Sequence, residues 1–160
     1  MDDFDFYRLF KTLHVIFVVL LGGGFILEAL AGALVARARS VQEVRALARM
    51  IYISENYLSI AAAIGIAVFG YLTADRLDLN LGTTWVLLGQ ILFYSIAILA
   101  IAFLRPAANE LHGLAQSEPE GPVTTALTAQ LKKPQAQIVG IATSVMFVFI
   151  IYLMVSKPDW

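Results

Sequence analysis

Four long apolar runs divide the chain, and the polar residues are gathered into the short segments between them. The runs cover residues 13–36, 51–73, 85–104 and 138–155; Glu28 is the one formal charge in the first, and the last two carry none. Crossing about 30 Å of hydrocarbon takes roughly 20 helical residues at about 1.5 Å each, so every run is long enough to span a bilayer. Lipid offers no partner to a backbone N–H or C=O, so each segment must satisfy its own amides, and a helix does so. The pattern therefore predicts an all-α protein, a four-transmembrane-helix bundle forming a single integral membrane domain over residues 1–160. Its helices are expected at about 7–38, 41–74, 84–105 and 135–156.

The ends of the runs carry their own signals. Ser40 and Glu43 read as a capping box opening the second helix. That start precedes the apolar run, so the helix either projects from the membrane or bends along its surface. Val44, Leu47, Ala48 and Ile51 form an apolar stripe, with Arg45 and Arg49 away from its centre. Thr83 or Thr84 suits the cap of the third helix, Pro134 the first turn of the fourth, and Pro158 follows its end. The longest connection, residues 106–134, holds the turn-rich Ser117-Glu118-Pro119-Glu120-Gly121-Pro122. After it, Val123, Ala126, Leu127 and Leu131 recur at helical spacing and end at Lys132 and Lys133, as expected of a short amphipathic helix on the cytoplasmic surface.

Composition agrees with the pattern. Hydrophobic residues make up 59% and charged residues 14%, too apolar for a soluble domain of this size. A net charge of −1 gives no basis for a nucleic-acid partner. The absence of Cys removes disulfides, thiolate metal sites and cysteine nucleophiles. Asp2, Asp3 and Asp5 stand where a secretory signal needs positive charge, so the first span is expected to remain in the mature protein. Arg37, Arg39, Arg45, Arg49, Arg105, Lys132 and Lys133 fall on one side of the spans, and Arg8, Lys11, Arg76 and Lys157 on the other. The positive-inside rule then places both termini outside the cytoplasm. Tyr71, Trp85, Tyr152 and Trp160 would form the outer aromatic belt, with Tyr52 and Tyr57 toward the inner one.

Helices in lipid associate where small residues let backbones approach. Helix one offers Gly22-Gly23-Gly24 and Gly32, helix two offers Ala61, Ala62, Ala63, Gly65 and Gly70, and helix four offers Ala136, Gly140 and Ser144. Helix three is bulkier and is expected to face lipid or a second protomer.

The ionisable groups within the spans carry the candidate chemistry. At about 100° per residue, His14, Leu21, Glu28 and Gly32 share one face of helix one, with His14 and Glu28 about 21 Å apart along the axis. That face should turn inward, because an ionisable group against lipid costs several kcal/mol. Glu28, well inside the hydrocarbon, must either hold a proton or meet a cation. Glu55 opens the buried part of helix two at a similar depth, and two such carboxyls together are the pattern of a proton or cation site. The plainer alternative bonds Glu28 to a neighbouring Ser, Asn56 or Tyr57, and pairs Glu55 with an arginine. His14 and Met154 lie at similar depth near the outer surface, so together they could ligate haem iron or copper. His112 falls in the cytoplasmic connection, a bilayer away from His14. No phosphate-binding loop, H-E-x-x-H or Ser-His-Asp set can be assembled.

The opening span Lys11-Thr12-Leu13-His14-Val15-Ile16-Phe17-Val18-Val19, followed by Gly23, resembles the first helix of a bacterial superfamily. That superfamily includes the copper-resistance D proteins and the HemJ-like protoporphyrinogen oxidases. With Gly70-Tyr71-Leu72, the later Trp85 and the ending Leu153-Met154-Val155-Ser156-Lys157-Pro158, nearly the whole chain is similar to an uncharacterised branch of it, the predicted integral membrane proteins. The resemblance implies a multi-pass protein of the bacterial inner membrane. It also implies that His14 corresponds to a haem b ligand of HemJ-like proteins. Those proteins carry a lysine in the third helix and an arginine late in the first. Here the third helix reads Trp85-Val86-Leu87-Leu88-Gly89-Gln90, and Glu28 has no arginine before the interface, which counts against protoporphyrinogen oxidation.

Three functions follow as expectations. The first is a non-enzymatic membrane bundle of unassigned role, with the lipid bilayer, a second copy or another membrane protein as partner. The second is a haem b- or copper-binding redox or transport protein using His14 and Met154. The third is a proton- or cation-coupled transporter using Glu28 and Glu55, dimeric because four helices make a thin carrier.

Overall fold

Every regular element among residues 3–158, the part that this computed structural model describes, is helical. Trp160, assigned above to the outer aromatic belt, lies outside the described residues. The elements are α1 (Asp3–Val35), α2 (Val41–Ile53), α3 (Ser59–Asp75), α4 (Thr84–Leu99), α5 (Arg105–Ser117), α6 (Thr125–Leu131) and α7 (Pro134–Ser156). A π turn over Ser54–Leu58 joins α2 to α3, and a second over Ala100–Leu104 joins α4 to α5, so each pair forms one continuous rod. With α1 and α7 they make four rods long and apolar enough to cross a membrane.

Besides α1 with its 33 residues, the two joined rods are longer than a membrane needs. Val41–Asp75 has 35 residues and Thr84–Ser117 has 34. At about 1.5 Å per residue each reaches roughly 50 Å, well past a hydrocarbon layer of about 30 Å. The excess lies at the end where the chain turns from α1 into α2 and from α5 through α6 into α7. There α2, α5 and α6 form a helical cap around Val35, Val41, Val44, Ala48, Ala115 and Leu127. A second core, Leu21, Ala62, Ile96 and Phe147, sits within the apolar spans. Side chains such as Val155 (78% exposed) and Ile141 (67% exposed) point outward, the inverted arrangement suited to lipid.

Several boundaries depart from the pattern-based expectation. The first helix begins at Asp3 and ends at Val35, not at residues 7 and 38. The third does not stop at residue 105 but continues through Pro106 to Ser117, so much of the expected connection is helix. Proline lacks an N–H and its ring crowds the carbonyl four residues back. Here it follows directly on a π turn, whose wider loop absorbs that crowding. His112 accordingly sits on α5 and not in a loop. The helix after the turn is α6, and its Leu127 is fully buried by protein and not left for a lipid surface.

The caps form much as their residues suggest. Ser40 accepts from the Glu43 N–H at 3.3 Å, while the Glu43 carboxylate accepts from the Arg39 N–H at 2.8 Å, one residue before the usual partner. Thr83 stands at the N-cap of α4 without a side-chain cap bond. Arg45 fastens α2 to the end of α5, donating to the Ala115 carbonyl at 3.1 Å and the Glu118 carbonyl at 2.9 Å. Val41 N–H donates to the Gly121 carbonyl at 2.9 Å and closes the loop over the cap.

The rods pack as two pairs, α1 with α3 and α4 with α7. Phe17 fills the space that a side chain at Gly65 would need, and the Met154 methyl lies 2.8 Å from where a Cβ on Gly89 would stand. Helix three thus uses a glycine to seat helix four, while Leu87, Ile91, Tyr94 and Ile98 face outward. Gly32 and Gly140, expected to bring backbones together, have nothing within 4 Å of where a Cβ would stand and line an open space instead.

Candidate functional site

Where α1 passes the π turn of Ser54–Leu58, four polar side chains meet inside the apolar region. In α geometry a residue and its fifth successor point in different directions; the wider π turn returns Ser54 and Ser59 to one face. Gly24 of α1 approaches that face closely, its Cβ position 3.3 Å from Ser54 Oγ and 3.4 Å from Ser59 Oγ. One helical turn further along α1, the Glu28 carboxyl is surrounded by Ser54, Glu55 and Ser59, and the Glu55 carboxyl lies against it. Ser54 is 1% exposed and Glu55 5%.

These groups face one another without closing hydrogen bonds of good geometry. Glu28 Oε1, Ser54 Oγ and Ser59 Oγ are all buried and without a protein partner. An unsatisfied buried polar atom costs about 1–3 kcal/mol. Three of them around one point mark a place where a small polar or charged guest, a proton included, would recover that cost.

The layer continues sideways through Asn56. Its amide donates to the Tyr52 carbonyl at 2.9 Å and to Asn109 Oδ1 at 2.8 Å, while its own Oδ1 accepts from Arg105 Nε at 2.8 Å. Arg105, directly after the second π turn, brings a positive charge close enough to act on Glu55. Both π turns therefore stand at the junction of spans and cap, and the residues beside them tie the two long rods together.

A cavity of about 870 Å³ reaches this layer. It opens because α1 and α7 cross at Gly22, Phe25 and Phe147 and then separate; the Phe25 and Phe147 rings meet edge to face at 5.2 Å and close the narrow end. Glu28 and Glu55 are in its wall, with Gly32 and Gly140 on opposing helices and Thr143 and Ser144 opposite the carboxyls. Its far end lies at the Lys133–Glu110 ion pair, 2.9 Å long. The cavity thus leads from the buried carboxyls to the polar surface of the cap.

A family model described as predicted integral membrane protein, DUF2269, matches residues 8–158. The chain belongs to that family. No curated protein and no solved structure matches it. This DUF2269 member is thus a multi-pass membrane protein, and its chemistry has to be read from its own side chains.

Of the residues singled out from sequence, Glu28 and Glu55 are brought together. His14 lies apart from them along α1: its Nδ1 is 3.0 Å from the Ile66 carbonyl, and its ring rests 3.0 Å from the Cβ position of Gly70. Gly70 is the residue whose helical N–H reaches back to Ile66, so the missing side chain there lets the imidazole share that carbonyl. Met154 is seated on Gly89 of α4. Among the described residues, no group of three or more His, Asp or Glu converges as a metal site. His112 stacks on Tyr52 with ring centroids 4.5 Å apart. Along the second rod, Tyr52 and Ile66 are 14 positions apart, about 21 Å, which keeps the two histidines at different depths. The expected serine beside Glu28 is supplied twice, by Ser54 and Ser59, and the arginine that acts on Glu55 is Arg105. Sequence reasoning missed Asn109, and the polar cluster Ser54-Glu55-Asn56 at the start of an apolar run was the one local signal for the serine layer.

Proposed function

We propose that this membrane protein binds a proton or a small cation at the Glu28–Glu55 pair and moves it across the membrane. The observation that carries the reading is the set of buried oxygen atoms without protein partners, Glu28 Oε1, Ser54 Oγ and Ser59 Oγ, gathered about the Glu28 carboxyl, which itself lines the cavity together with Glu55. Two carboxyls in contact can share one proton, or give it up and hold a cation between them with the serine hydroxyls as further oxygen ligands. Arg105 supplies a fixed positive charge near Glu55, which limits the negative charge the site must carry when empty. The cavity offers a path from the cap surface to the carboxyls, and the aromatic contact of Phe25 with Phe147 stands between them and the other side.

The test is flux. Protein reconstituted in liposomes should pass protons or a monovalent cation down an imposed gradient, and Glu28→Gln, which keeps the shape and removes the titratable group, should abolish that flux. Equal flux in wild type and Glu28→Gln would end the proposal.

A second reading, haem b or copper held through His14, has one specific observation in its favour. A hydrogen bond from Nδ1–H to the Ile66 carbonyl fixes the tautomer that leaves Nε2 free as a ligand, the arrangement found behind metal-bound histidines. Such a group would add redox chemistry, and this chain would supply the imidazole and its orientation. An absorption band near the visible–ultraviolet edge in the purified protein, lost in His14→Ala, would support it; a colourless, copper-free preparation would remove it.

A further inference from the structure

On the outer face of the junction between α2 and α5 lies a separate pocket of about 400 Å³, lined by Arg49, Tyr52, Ile53, Tyr57, His112 and Gln116. It shares no residue with the cavity that reaches Glu28. We infer that this pocket binds a phosphate group, and that it is placed to take the headgroup phosphate of an anionic phospholipid.

The first argument is the chemistry of the lining. Arg49, Gln116, Tyr57 and the His112 ring all offer hydrogen-bond donors, and no carboxylate lines the pocket. Arg49 is exposed, and among the described residues it has no hydrogen-bond or ion-pair partner. A guanidinium in that state at a pocket wall is suited to a phosphate, whose oxygens match its planar fork. The His112 ring lines the pocket, and its Nδ1 is buried with no protein partner. Stacking on Tyr52 at 4.5 Å, with 21° between the ring planes, holds the imidazole in place, and Tyr57 meets Tyr52 edge to face at 6.2 Å.

The second argument is the order of these residues along two antiparallel helices. From the cap toward the apolar span, α2 presents Arg49, then Tyr52 and Ile53, and the π turn that continues it presents Tyr57 one turn further in. On α5, Gln116 lies on the cap side of His112. The donors Arg49 and Gln116 are thus at the polar end, and the exposed side chains of Ile53 (46%) and Tyr57 (62%) continue toward hydrocarbon. A molecule with an anionic head and an apolar tail fits that gradient in one orientation only. A basic pocket at the end of membrane helices, with aromatic side chains at headgroup depth, is the general form of such lipid sites. Free phosphate would use the same donors but would gain nothing from the apolar end.

The experiment uses the full-length protein in neutral detergent, incubated with equal amounts of phosphatidylglycerol and phosphatidylcholine and weighed intact by native mass spectrometry. Phosphatidylglycerol adducts should dominate. Arg49→Ala should lower their occupancy about five- to tenfold, as expected for loss of one basic contact. Arg49→Lys should recover part of it, and Arg37→Ala, a cation outside the pocket, should leave it unchanged. Because Arg49 is exposed, these variants should keep the wild-type melting temperature, which is measured alongside. A parallel arm replaces lipid with inorganic phosphate: an Arg49-dependent phosphate adduct without preference for phosphatidylglycerol supports the phosphate site and assigns it to a soluble ion. Equal binding of the two lipids together with no phosphate adduct, or adducts that persist in Arg49→Ala, overturns the inference.

Discussion

Phe17 of α1 lies face-on against the backbone of α3 at Gly65, its ring occupying the volume that any side chain at Gly65 would need. Phe17 also stacks on Phe69 at 5.6 Å, so the ring is held from two sides and cannot easily give way. Gly65→Ala should therefore destabilise the protein by about 1–3 kcal/mol, the usual cost of overpacking a well-filled contact. Gly32→Ala is the contrasting case. Nothing stands within 4 Å of its Cβ position, and alanine is the better helix former, so its stability should be unchanged or higher by up to about 1 kcal/mol. Thermal melting of the two variants in one detergent checks both; similar losses at both positions would show that the α1–α3 contact is not as described.

The difference between these glycines explains what the sequence could and could not disclose. The four spans were legible because a run of about twenty apolar residues has one stable solution in lipid. The meeting of Glu28 and Glu55 was legible from their matching depth and from the cost of turning either toward lipid. Gly65 and Gly32 look alike in sequence, yet one takes a phenylalanine ring and the other borders a cavity, because the choice of facing partner is made by the neighbouring rod. The two π turns were not legible either. No local signal marks Ser54–Leu58, and only Pro106 hints at Ala100–Leu104. Without the first turn, Ser54 and Ser59 do not fall on one face, and the polar layer around Glu28 cannot be assembled on paper. The His14 contact was hidden for a related reason: its acceptor is a helical carbonyl, available only because Gly70 leaves it uncovered.

Asn56 accepts from Arg105 and donates to Asn109, and so links the two long rods at the level of their π turns. Replacing it with leucine removes partners from both, leaving a half-buried guanidinium with fewer bonds. Asn56→Leu should cost about 1–3 kcal/mol. A double-mutant cycle with Asn56→Ala and Asn109→Ala isolates the amide–amide bond. Bonds between membrane helices average about 0.6 kcal/mol, and the coupling energy should be of that order. A coupling indistinguishable from zero would mean that the two rods are not joined there.

Arg45 is the staple of the cap. Its guanidinium donates to two carbonyls at the end of α5, with Glu120 at 4.0 Å as a weaker ionic partner. These carbonyls have no helical N–H to receive and carry the partial negative charge of the helix end, so a cation there is favoured. Arg45→Ala should loosen the turn at residues 118–124 while leaving the apolar spans intact. The expected result is faster cleavage within that turn by a protease of broad specificity, by about tenfold for roughly 1.4 kcal/mol of lost local stability. Melting of the whole protein should shift far less, because the Val44, Ala48 and Leu127 contacts remain. Unchanged cleavage would place the strength of the cap in its apolar core alone.

The orientation of the bundle is expected from where its basic residues collect. Arg37, Arg39, Arg45, Arg49, Arg105, Lys132 and Lys133 all belong to the cap end or its junction, whereas Lys11, Arg76 and Lys157 stand at the end that holds Trp85. Basic residues next to a span resist transfer across the membrane, so the cap should face the cytoplasm and both termini the opposite side. The chain has no cysteine, so a single introduced thiol is the only one a reagent can meet. Leu81→Cys, in the exposed turn between α3 and α4, should react with a membrane-impermeant maleimide in intact cells. Ser117→Cys, at the exposed end of α5, should react only after the membrane is opened. The reverse pattern would put the cap outside, turn the cavity mouth at Lys133 and Glu110 toward the exterior, and reverse the side from which the buried carboxyls are reached.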